Sequence, residues 1–552
     1  MTCTPQAFYC KLRVNNHRFP LVFSSFLLST LIGGLTPSWA QAETEPIIVD
    51  DSLGDEQSEP LPDPQIRNRI NITGGARREN NLFHSFSEFN VLRGREVYFE
   101  PGQPVNNILT RVTGSNLSDI SGLLGVEGGA SLWLMNPNGI VFGESARLDI
   151  DGSFYATTAS AIPIGNSTFS ALPSQGEQLL AMSPTASFEN YLSEDSGSIV
   201  SQGRLANVND DNRNTSTDAV LNLSGSAVTL QENLNVNRDL SFFAINDIET
   251  RGLTASGSDI SLLSNDGAII VAGAIRVNTT DGCDAGDVNI TASNSIETDV
   301  INAGSSSEDS NAGRGGDVSI TSMGGGDIHT RGSINTGSRA GNRQATDNRL
   351  VLNAGNGGNI YLVTESGGNI SNEGMLNAWS RAFNGDSGDG GSITIIASRS
   401  GNITNMERLL SQSRTDNGNA GAGGDITLSA RGDGTIANHG ALNAQSLANG
   451  NERGDAGTGG SIRITTENGD IINAPFGFTS NPDDNSGSLN TRSVTRNGNA
   501  SDSGTITVRS EGGDIVLNAY LDSKSYSLTG GESDIGGDIL IIARNGSITG
   551  NA

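Results

Sequence analysis

Few residues in this chain have the type and spacing that catalysis requires. Residues 385–388 read Gly-Asp-Ser-Gly, which can surround a nucleophilic serine, but such a serine needs a base within hydrogen-bond reach. The comparable residues 417–420 read Asn-Gly-Asn-Ala, so loop composition explains the motif. The sequence contains no His-Glu-x-x-His motif, no Cys/His cluster and no Gly-Lys-Ser/Thr step. We therefore expect no catalytic residue, no metal ligand and no cofactor, and a protein that is not an enzyme.

Two Arg-Gly-Asp tripeptides are candidates for binding a receptor. They are Arg431-Gly432-Asp433 and Arg453-Gly454-Asp455. Because Gly, Arg and Asp are abundant in the polar segments around them, composition alone can also produce both tripeptides. Receptor binding would require that they lie in exposed loops.

The elements that would position these residues form a repeat of about 33 residues between Ala285 and Asn551. Each unit contains an alternating apolar pair, then an isoleucine, then an aliphatic residue that is followed four positions later by serine. The pairs are Val288/Ile290, Val318/Ile320, Ile360/Leu362, Ile393/Ile395, Ile426/Leu428, Ile462/Ile464, Ile506/Val508 and Ile539/Ile541. Period-two alternation between Gly-, Asn- and Asp-rich turns indicates short strands with one buried face.

A unit of this size buries its apolar face only by stacking on its neighbours, so the repeat predicts an all-β solenoid, a parallel β-helix with three strands per coil. The fourth part of each unit, such as residues 381–391 or 415–424, is nearly all Gly, Asn, Asp and Ser, and we expect a loop that projects from one edge. The polar residue before each first strand, such as Asp317 or Asn359, is expected to satisfy turn amides rather than to bind calcium.

Charge limits the partners of the chain, which has 61 acidic and 33 basic side chains, a net charge of −28 and only two lysines. Since no segment concentrates Lys or Arg, we expect no nucleic-acid partner and no basic patch for an anionic membrane. Residues 1–42 have the pattern of a secretory signal peptide, with basic residues before an apolar run and cleavage after Ala40 or Ala42. No later stretch is long and apolar enough for a transmembrane segment.

The composition changes along the rest of the chain. Residues 43–65 are acidic and Pro-rich without periodicity, which predicts a disordered leader. Residues 66–190 concentrate aromatic side chains, as expected of an atypical end unit that caps a solenoid. Residues 191–284 are predicted to form irregular β-helix coils, and residues 285–552 the regular ones.

Four blocks within residues 66–190 carry a specific pattern. They are residues 80–91, 107–114, 132–143 and 152–159, and they include Phe83, His84, Ser85, Phe86, Asn107, Arg111, Val112, Thr113, Gly114, Asn136, Pro137, Asn138, Gly139 and Ile140. In type and order the blocks resemble the amino-terminal secretion (haemagglutination activity) domain of two-partner secretion exoproteins, the filamentous haemagglutinin-like family. One departure is Ser115-Asn116, where the family more often has a second glycine.

The resemblance implies a right-handed parallel β-helix with a capped amino-terminal secretion domain, which ends near residue 190 or extends to about residue 280. It also implies a partner, an outer-membrane β-barrel transporter with periplasmic recognition domains. By the family pattern, residues 136–139 form a turn and Ile140 completes the secretion motif. The turn would serve either folding or direct partner contact, because Asn-Pro-Asn-Gly is itself a strong turn signal. We expect an adhesin that a Gram-negative cell exports through the periplasm and then releases or retains at its surface, with a host or cell-surface ligand that the sequence does not identify.

Two alternatives stay open. A polysaccharide-binding or polysaccharide-lyase-like β-helix would need clustered Asp and basic residues facing a groove, whereas Arg463, Arg509 and Arg544 are scattered. A truncated carrier stalk of a secreted toxin would fit a chain whose last unit has no third part after Ile548, where we expect the solenoid to continue.

Overall fold

A computed structural model describes residues 46–173, 178–207, 219–341, 350–450, 453–475 and 487–550. These residues form strands and turns, and no helix among them is long and apolar enough to cross a membrane. The strands stack coil on coil into parallel sheets, which confirms the predicted all-β parallel β-helix. The expected signal peptide lies outside the described residues.

Sheet A is the longest face of the solenoid, with 17 strands in the described part of the chain. From Asn81–Phe89 onward its strands are parallel and follow chain order, so each coil adds one strand. The strands are Ile47–Val49, Ala76–Arg78, Asn81–Phe89, Asn107–Val112, Ser131–Met135, Phe154–Thr157, Val220–Gly225, Asp239–Ala244, Ile260–Ser264, Val288–Ala292, Val318–Ser322, Ile360–Thr364, Ile393–Ala397, Ile426–Ala430, Ile462–Thr466, Ile506–Ser510 and Ile539–Ala543.

Two further faces complete the apolar core. Sheet B comprises Ser118–Ile120, Ile140–Phe142, Ile199–Ser201, Val228–Leu230, Ile248–Thr250, Ile269–Val271, Ile296–Thr298, Ile328–Thr330, Ile370–Asn372, Ile403–Asn405, Ile436–Asn438, Ile471–Asn473, Ile515–Leu517 and Ile548–Thr549. The third face is sheet C, with Ser58–Pro62, Arg69–Gly74, Glu96–Phe99, Leu123–Val126, Arg147–Asp149 and Ala206–Asn207, and then sheet D, with Leu234–Val236, Leu253–Ala255, Ile275–Arg276, Ile301–Asn302, Ile334–Asn335, Leu376–Asn377, Leu409–Leu410, Leu442–Asn443, Leu489–Asn490 and Leu521–Asp522.

The fourth part of each repeat is not the projecting loop that its composition predicts. It begins with a strand of sheet E and continues as a segment whose residues bridge from coil to coil, as Ala354, Ser387 and Ala420 do. The repeated serine of each sheet E strand binds the segment that precedes the sheet A strand of its coil, because its hydroxyl donates to a carbonyl there, 2.7 Å from Ser380 Oγ to Gly355 O. Small side chains allow this close approach, which composition alone does not reveal. The strands of sheet E are Ser305–Ser307, Ser338–Ala340, Ser380–Ala382, Ser413–Thr415, Ser446–Ala448, Ser493–Thr495 and Ser525–Ser527.

Within residues 191–284, the described residues 191–207 and 219–284 form coils that stack in register like the later ones, and the coils at 219–284 contain fewer residues. Equivalent residues lie 20 positions apart at Asp239 and Asp259, against 33 at Asn359 and Ser392. The difference is the fourth part of the coil, because sheet E begins only at Ser305. The same core therefore runs through both kinds of coil.

Side-chain oxygens on the outside of each coil bind the backbone of the next coil. Where the residue before a strand of sheet A is Asp or Asn, its side-chain oxygen accepts a hydrogen bond from the backbone N–H of its equivalent one coil later, 2.7 Å from Asp317 N to Asp287 Oδ1 and 2.7 Å from Asn359 N to Asp317 Oδ1. The acceptors are Asp259, Asp287, Asp317, Asn359 and Asp425. This confirms the predicted role of these residues. Part of the excess of acidic residues therefore has a structural role, because these aspartate carboxylates accept hydrogen bonds from backbone amides.

A ladder of four asparagines runs inside the solenoid at the end of sheet B. Asn372, Asn405, Asn438 and Asn473 are fully buried, and each of the first three donates from its amide to the side-chain oxygen of the next. The same amides also donate to backbone carbonyls at the adjoining turn, such as Glu407 O at 2.7 Å from Asn405 Nδ2. Buried polar groups need such partners, so the ladder ties the corner of one coil to those above and below.

The disordered leader predicted at residues 43–65 is wrong from residue 46 onward. Ile47–Val49 pairs antiparallel with the first long strand of sheet A, and Ser58–Pro62 pairs antiparallel with Arg69–Gly74 at the edge of sheet C. Proline lacks a backbone donor, but an edge strand tolerates that loss. The Pro-rich composition therefore indicates an edge strand here rather than disorder.

The asparagine ladder can be tested at its centre. Asn405→Ala removes one donor to Asn438 and one acceptor of Asn372 at a fully buried site, and we expect a loss of about 1–3 kcal/mol in the free energy of unfolding. Urea denaturation and hydrogen exchange of the neighbouring strands measure the effect. The matched control is Asn402→Ala, which removes an exposed acceptor of Thr435 N, and equal losses in both variants would contradict a structural role for the buried ladder.

Candidate functional site

The four sequence blocks become four successive strands of sheet A at the amino-terminal end of the solenoid. Their register places Phe83, Leu109, Trp133 and Tyr155 in one column across the strands. The rings of Trp133 and Tyr155 stack at 3.7 Å with an interplanar angle of 9°. The structure therefore brings together blocks that lie far apart in sequence.

A second apolar core lies on the outer face of these strands. The hairpin Ala161–Ile164/Ser167–Ser170 and residues 178–192 cover that face and bury Phe83, Trp133 and Phe169. The side-chain amide of Asn81 holds the cover in place, because its Nδ2 donates to the carbonyls of Leu180 and Met182 at 3.0 and 2.7 Å. The aromatic residues of this segment thus serve two cores, one inside the coils and one beneath a cap.

The turn at residues 136–139 forms the corner between sheets A and B. Asn136 is fully buried and its Oδ1 accepts from Asn138 N at 3.0 Å, while Gly139 N donates to Asn136 O at 3.1 Å. Gly139 has a φ of 124°, a conformation that side chains disfavour. Ile140 follows as the first residue of its strand in sheet B and is buried. Asn136, Gly139 and Ile140 therefore each have a local structural role in this corner.

The corner is also bound to the coils on either side. Asn136 Nδ2 donates to Asn116 O and to Ser118 Oγ, both at 3.0 Å, in the preceding coil. Pro137 O accepts from Gly197 N at 2.7 Å in the following coil. Asn138 is exposed, and its amide donates to Gly114 O at 2.8 Å. Ser115 and Asn116 thus form a bend that receives the corner despite their departure from the family pattern.

Arg111 is a fully buried cation beneath the cap. Its Nε donates to Ser85 Oγ at 2.8 Å, its Nη1 to Ser170 O at 2.7 Å and its Nη2 to Ser52 Oγ at 2.9 Å. The guanidinium also lies 4.5 Å from the ring centroid of Phe169. One side chain therefore joins the first segment, sheet A and the covering hairpin, and a buried charge is tolerated only with such partners.

Asp50 supplies the negative charge that balances this cation through shared hydroxyls. Its carboxylate accepts from Ser52 Oγ at 2.5 Å, from Thr113 Oγ1 at 2.5 Å and from Ser85 Oγ at 2.8 Å. Burial acts to raise the pKa of Asp50, but the hydrogen bonds from Ser52, Thr113 and Ser85 outweigh it and hold the pKa below its usual value. The carboxylate therefore stays ionised opposite Arg111.

His84 precedes Ser85 on the strand Asn81–Phe89, and its side chain lies on the opposite face of that strand, inside the solenoid. Its ring is fully buried, 5.2 Å from the ring of Phe99, and its Nδ1 lies 3.0 Å from Ser58 Oγ. Its Nε2 has no hydrogen-bond partner. Burial lowers the pKa of His84 to about 3, so the ring is neutral at physiological pH. Phe86 and Val112 are buried in the same core.

The structure places neither Arg-Gly-Asp tripeptide in a projecting loop. Arg431 and Asp433 are exposed in a tight turn, where Asp433 Oδ1 accepts from Asn468 Nδ2 at 3.1 Å. Asp455 belongs to the stacked fourth part of its coil and accepts from Asn499 N at 2.7 Å. Both aspartates are therefore engaged by neighbouring coils, and Gly454 is buried.

Residues 385–388 belong to the same stacked segment. Ser387 is buried, and its Oγ lies 2.8 Å from the Oγ of Ser413. Asp386 accepts from Asn419 N of the next coil at 2.7 Å. These contacts are structural. Among the described residues, no group of His, Cys, Asp or Glu side chains is arranged to hold a metal ion.

Sequence reasoning missed Asp50, Ser52 and Ser170, which complete the surroundings of Arg111. The first two lie in the segment predicted to be disordered, and Ser170 contributes its backbone carbonyl, which no sequence pattern marks. The Asp-x-Ser spacing at residues 50–52 is nevertheless a signal, because it favours the turn in which Ser52 N donates to Asp50 Oδ1 at 3.0 Å.

The low pKa of His84 predicts a pH-dependent stability of this end of the solenoid. Unfolding exposes the ring, which then binds a proton below its ordinary pKa of about 6.5, so stability falls as pH falls from 6.5 toward 3. Between pH 7 and pH 5 the expected loss is about 2 kcal/mol. Hydrogen exchange of the strand Asn81–Phe89 measures it locally. His84→Gln should flatten this dependence, whereas the control His329→Gln should leave it, and an unchanged dependence in His84→Gln would contradict the assignment.

Comparison with known proteins places this arrangement in a family. The model of the TPS secretion domain matches residues 46–320, which extends beyond residues 66–190 at both ends. No curated protein matches the chain. Among solved structures, the crystal structure of the HMW1 secretion domain from Haemophilus influenzae is 13% identical with a TM-score of 0.26, covering 90% of this chain and 99% of that chain.

The matched residues begin one position before the first strand of sheet A and include the four blocks, the Asn136 corner and the surroundings of Arg111. The chain therefore belongs to the two-partner secretion exoproteins of the filamentous haemagglutinin-like type, with its TPS secretion domain at residues 46–320.

Proposed function

We propose that this protein is an adhesin whose residues 1–42 direct it to the periplasm, where an outer-membrane β-barrel transporter recognises residues 46–320 through periplasmic recognition domains. Membership of the family implies a secreted protein, exported through the periplasm, with a transporter in the outer membrane as its partner. A TPS secretion domain serves secretion rather than catalysis, which favours an exoprotein over a polysaccharide lyase.

The observation that carries the recognition proposal is the division of the corner at residues 136–139 into a buried and an exposed part. Asn136 faces inward and joins the preceding coil through two hydrogen bonds. Pro137 is half-buried and Asn138 is exposed. Buried Asn136 therefore maintains the coil, while Pro137 and Asn138 offer a rigid surface that a folding or folded domain presents to a partner.

The adhesive part of the proposal rests on family type and on architecture. Stacked coils that satisfy one another's backbone form a long, rigid array, and their outward side chains are free to vary without loss of the core. Cells that export the protein are expected to adhere to host-cell surfaces better than cells from which its gene is deleted. Equal adherence of the two would contradict this role.

The two asparagines of the corner should affect export differently. Asn136→Ala leaves buried polar atoms of its coil without partners, so we expect lower stability by about 1–3 kcal/mol together with reduced secretion. Asn138→Ala removes the hydrogen bonds of an exposed side-chain amide to Gly114 O and Asn136 Oδ1, so it should lower stability by about 1 kcal/mol or less, yet it should reduce secretion because a partner contact is lost. Urea denaturation of the purified chain and its amount in the medium give the two readouts.

The matched control is Asn294→Ala, because Asn294 is also exposed and its amide donates to a carbonyl of the preceding coil, Asp266 O at 2.9 Å. It lies within the secretion domain but far along the chain from the corner. If Asn138→Ala and Asn294→Ala are secreted equally well, partner contact through Asn138 is contradicted, and the corner serves folding alone.

The placement of the Arg-Gly-Asp tripeptides predicts that they do not mediate adherence. The double variant Asp433→Ala and Asp455→Ala should adhere within about twofold of wild type, since both carboxylates are engaged by neighbouring coils. Loss of the bond from Asn499 N should cost about 1 kcal/mol of stability. Adherence reduced to that of the deletion strain, with the variant still secreted, would instead assign receptor binding to a tripeptide.

A further inference from the structure

Three arginines line a cavity on the amino-terminal coils, where the chain enters the strands of sheet C. The cavity has a volume of about 350 Å³. Its lining comprises Arg93, Gly94, Arg95, Glu96, Gly122, Leu123, Ser145 and Arg147. The sequence predicts no basic patch, because no basic run exists, and the structure corrects this expectation by bringing together arginines from two separate parts of the chain.

Backbone geometry sets the shape of the cavity. Arg93 and Arg95 flank Gly94 in a turn closed by Arg95 N donating to Leu92 O at 2.9 Å, and Gly94 has a φ of 75°. The turn lies directly on Gly122, where a Cβ would come within 2.4 Å of Arg95 O. A residue larger than glycine would therefore push the turn away and open this wall of the cavity.

The third arginine comes from a later coil of sheet C. The strand Arg147–Asp149 pairs in parallel with Leu123–Val126, with Arg147 opposite Leu123, and Arg147 N donates to Gly122 O at 3.0 Å. Stacking thus brings the Arg147 side chain to the cavity whose other wall is the turn with Arg93 and Arg95. The proximity of Arg147 to Arg93 and Arg95 is therefore set by the pairing of strands in sheet C and not by their positions in the sequence.

These positive charges are available to a ligand. All three arginines are exposed, and no described residue forms an ion pair with them. The only acidic residue in the lining is Glu96, whose Oε2 lies 2.9 Å from Nε of Arg69, an arginine that also pairs with Glu127. The three arginines of the lining therefore outnumber one carboxylate that already has a cationic partner. The chain has a net charge of −28, so a cavity lined by three arginines without ion-pair partners among the described residues is a local region of positive charge.

The chemistry of the lining selects an oxyanion. Guanidinium groups bind phosphate and carboxylate through paired hydrogen bonds, and they do so best where several act on one anion. Three positive charges favour a doubly charged phosphate over a singly charged carboxylate, and the hydroxyl of Ser145 adds a donor. We propose that this cavity binds a phosphate group, either as inorganic phosphate or on the headgroup of an anionic lipid.

The test uses the full chain and two probes. Isothermal titration with inorganic phosphate measures binding of the free ion, and co-sedimentation with vesicles of phosphatidylcholine, with and without phosphatidic acid, measures binding of a headgroup. The variant combines Arg93→Gln, Arg95→Gln and Arg147→Gln, and we expect its affinity for at least one probe to fall by about tenfold or more. Circular dichroism verifies that these exposed substitutions leave the fold intact.

The matched control removes the same charge elsewhere through Arg251→Gln, Arg276→Gln and Arg408→Gln, three exposed arginines without a partner among the described residues. The control should bind like wild type. Binding of phosphate identifies the free ion as ligand, and binding of phosphatidic acid vesicles alone identifies the headgroup. The proposal is overturned if wild type binds neither probe, or if both triple variants lose affinity equally, which would indicate general charge attraction.

Discussion

Each coil of this solenoid must satisfy the backbone N–H and C=O groups at the edge of its neighbour, and the rest of the structure depends on that requirement. The strands do so by parallel pairing, and the turns do so with side chains. Asp287 and Asp317 each accept an amide proton from the following coil. Inside, Asn405 donates to the backbone carbonyl of Glu407 at its own corner and is joined to the corners of the two adjacent coils by a buried ladder of asparagine side chains. Because a buried backbone group without a partner is costly, these side chains hold the coil spacing at corners where strands end.

The secretion domain adds a second requirement, which is to cover the outer face of the first strands of sheet A. Aromatic and aliphatic side chains form most of the contact between this face and its cover. The cover also encloses the buried guanidinium of Arg111, whose charge is balanced by Asp50 through the hydroxyls of Ser52 and Ser85. Such a network is stable only when all its members are in place. It therefore links completion of the cap to docking of residues 50–52 on sheet A.

How far the sequence predicts the site depends on whether a residue acts locally or across coils. The Asn-Pro-Asn-Gly turn was predictable, because its residues favour the turn by themselves. The partners of Arg111 were not, since Ser52 lies in a segment whose composition suggests disorder and Ser170 contributes a backbone carbonyl. The fourth part of the repeat differs from its prediction for a related reason. Its small residues are typical of a loop, yet the segment packs against the coil, where the hydroxyl of a serine such as Ser380 donates to its backbone.

By itself, the sequence determined the period, the alternating strands, the faces that are buried and the polar residues that hold the turns, because all of these follow from local spacing. The tertiary structure alone decided which distant residues meet. Arg93, Arg95 and Arg147 line one cavity although the net charge is strongly negative. Stacking of the coils makes residues that are distant along the chain neighbours across a sheet. The register of that stacking depends on backbone hydrogen bonds between coils, which the residue types do not specify.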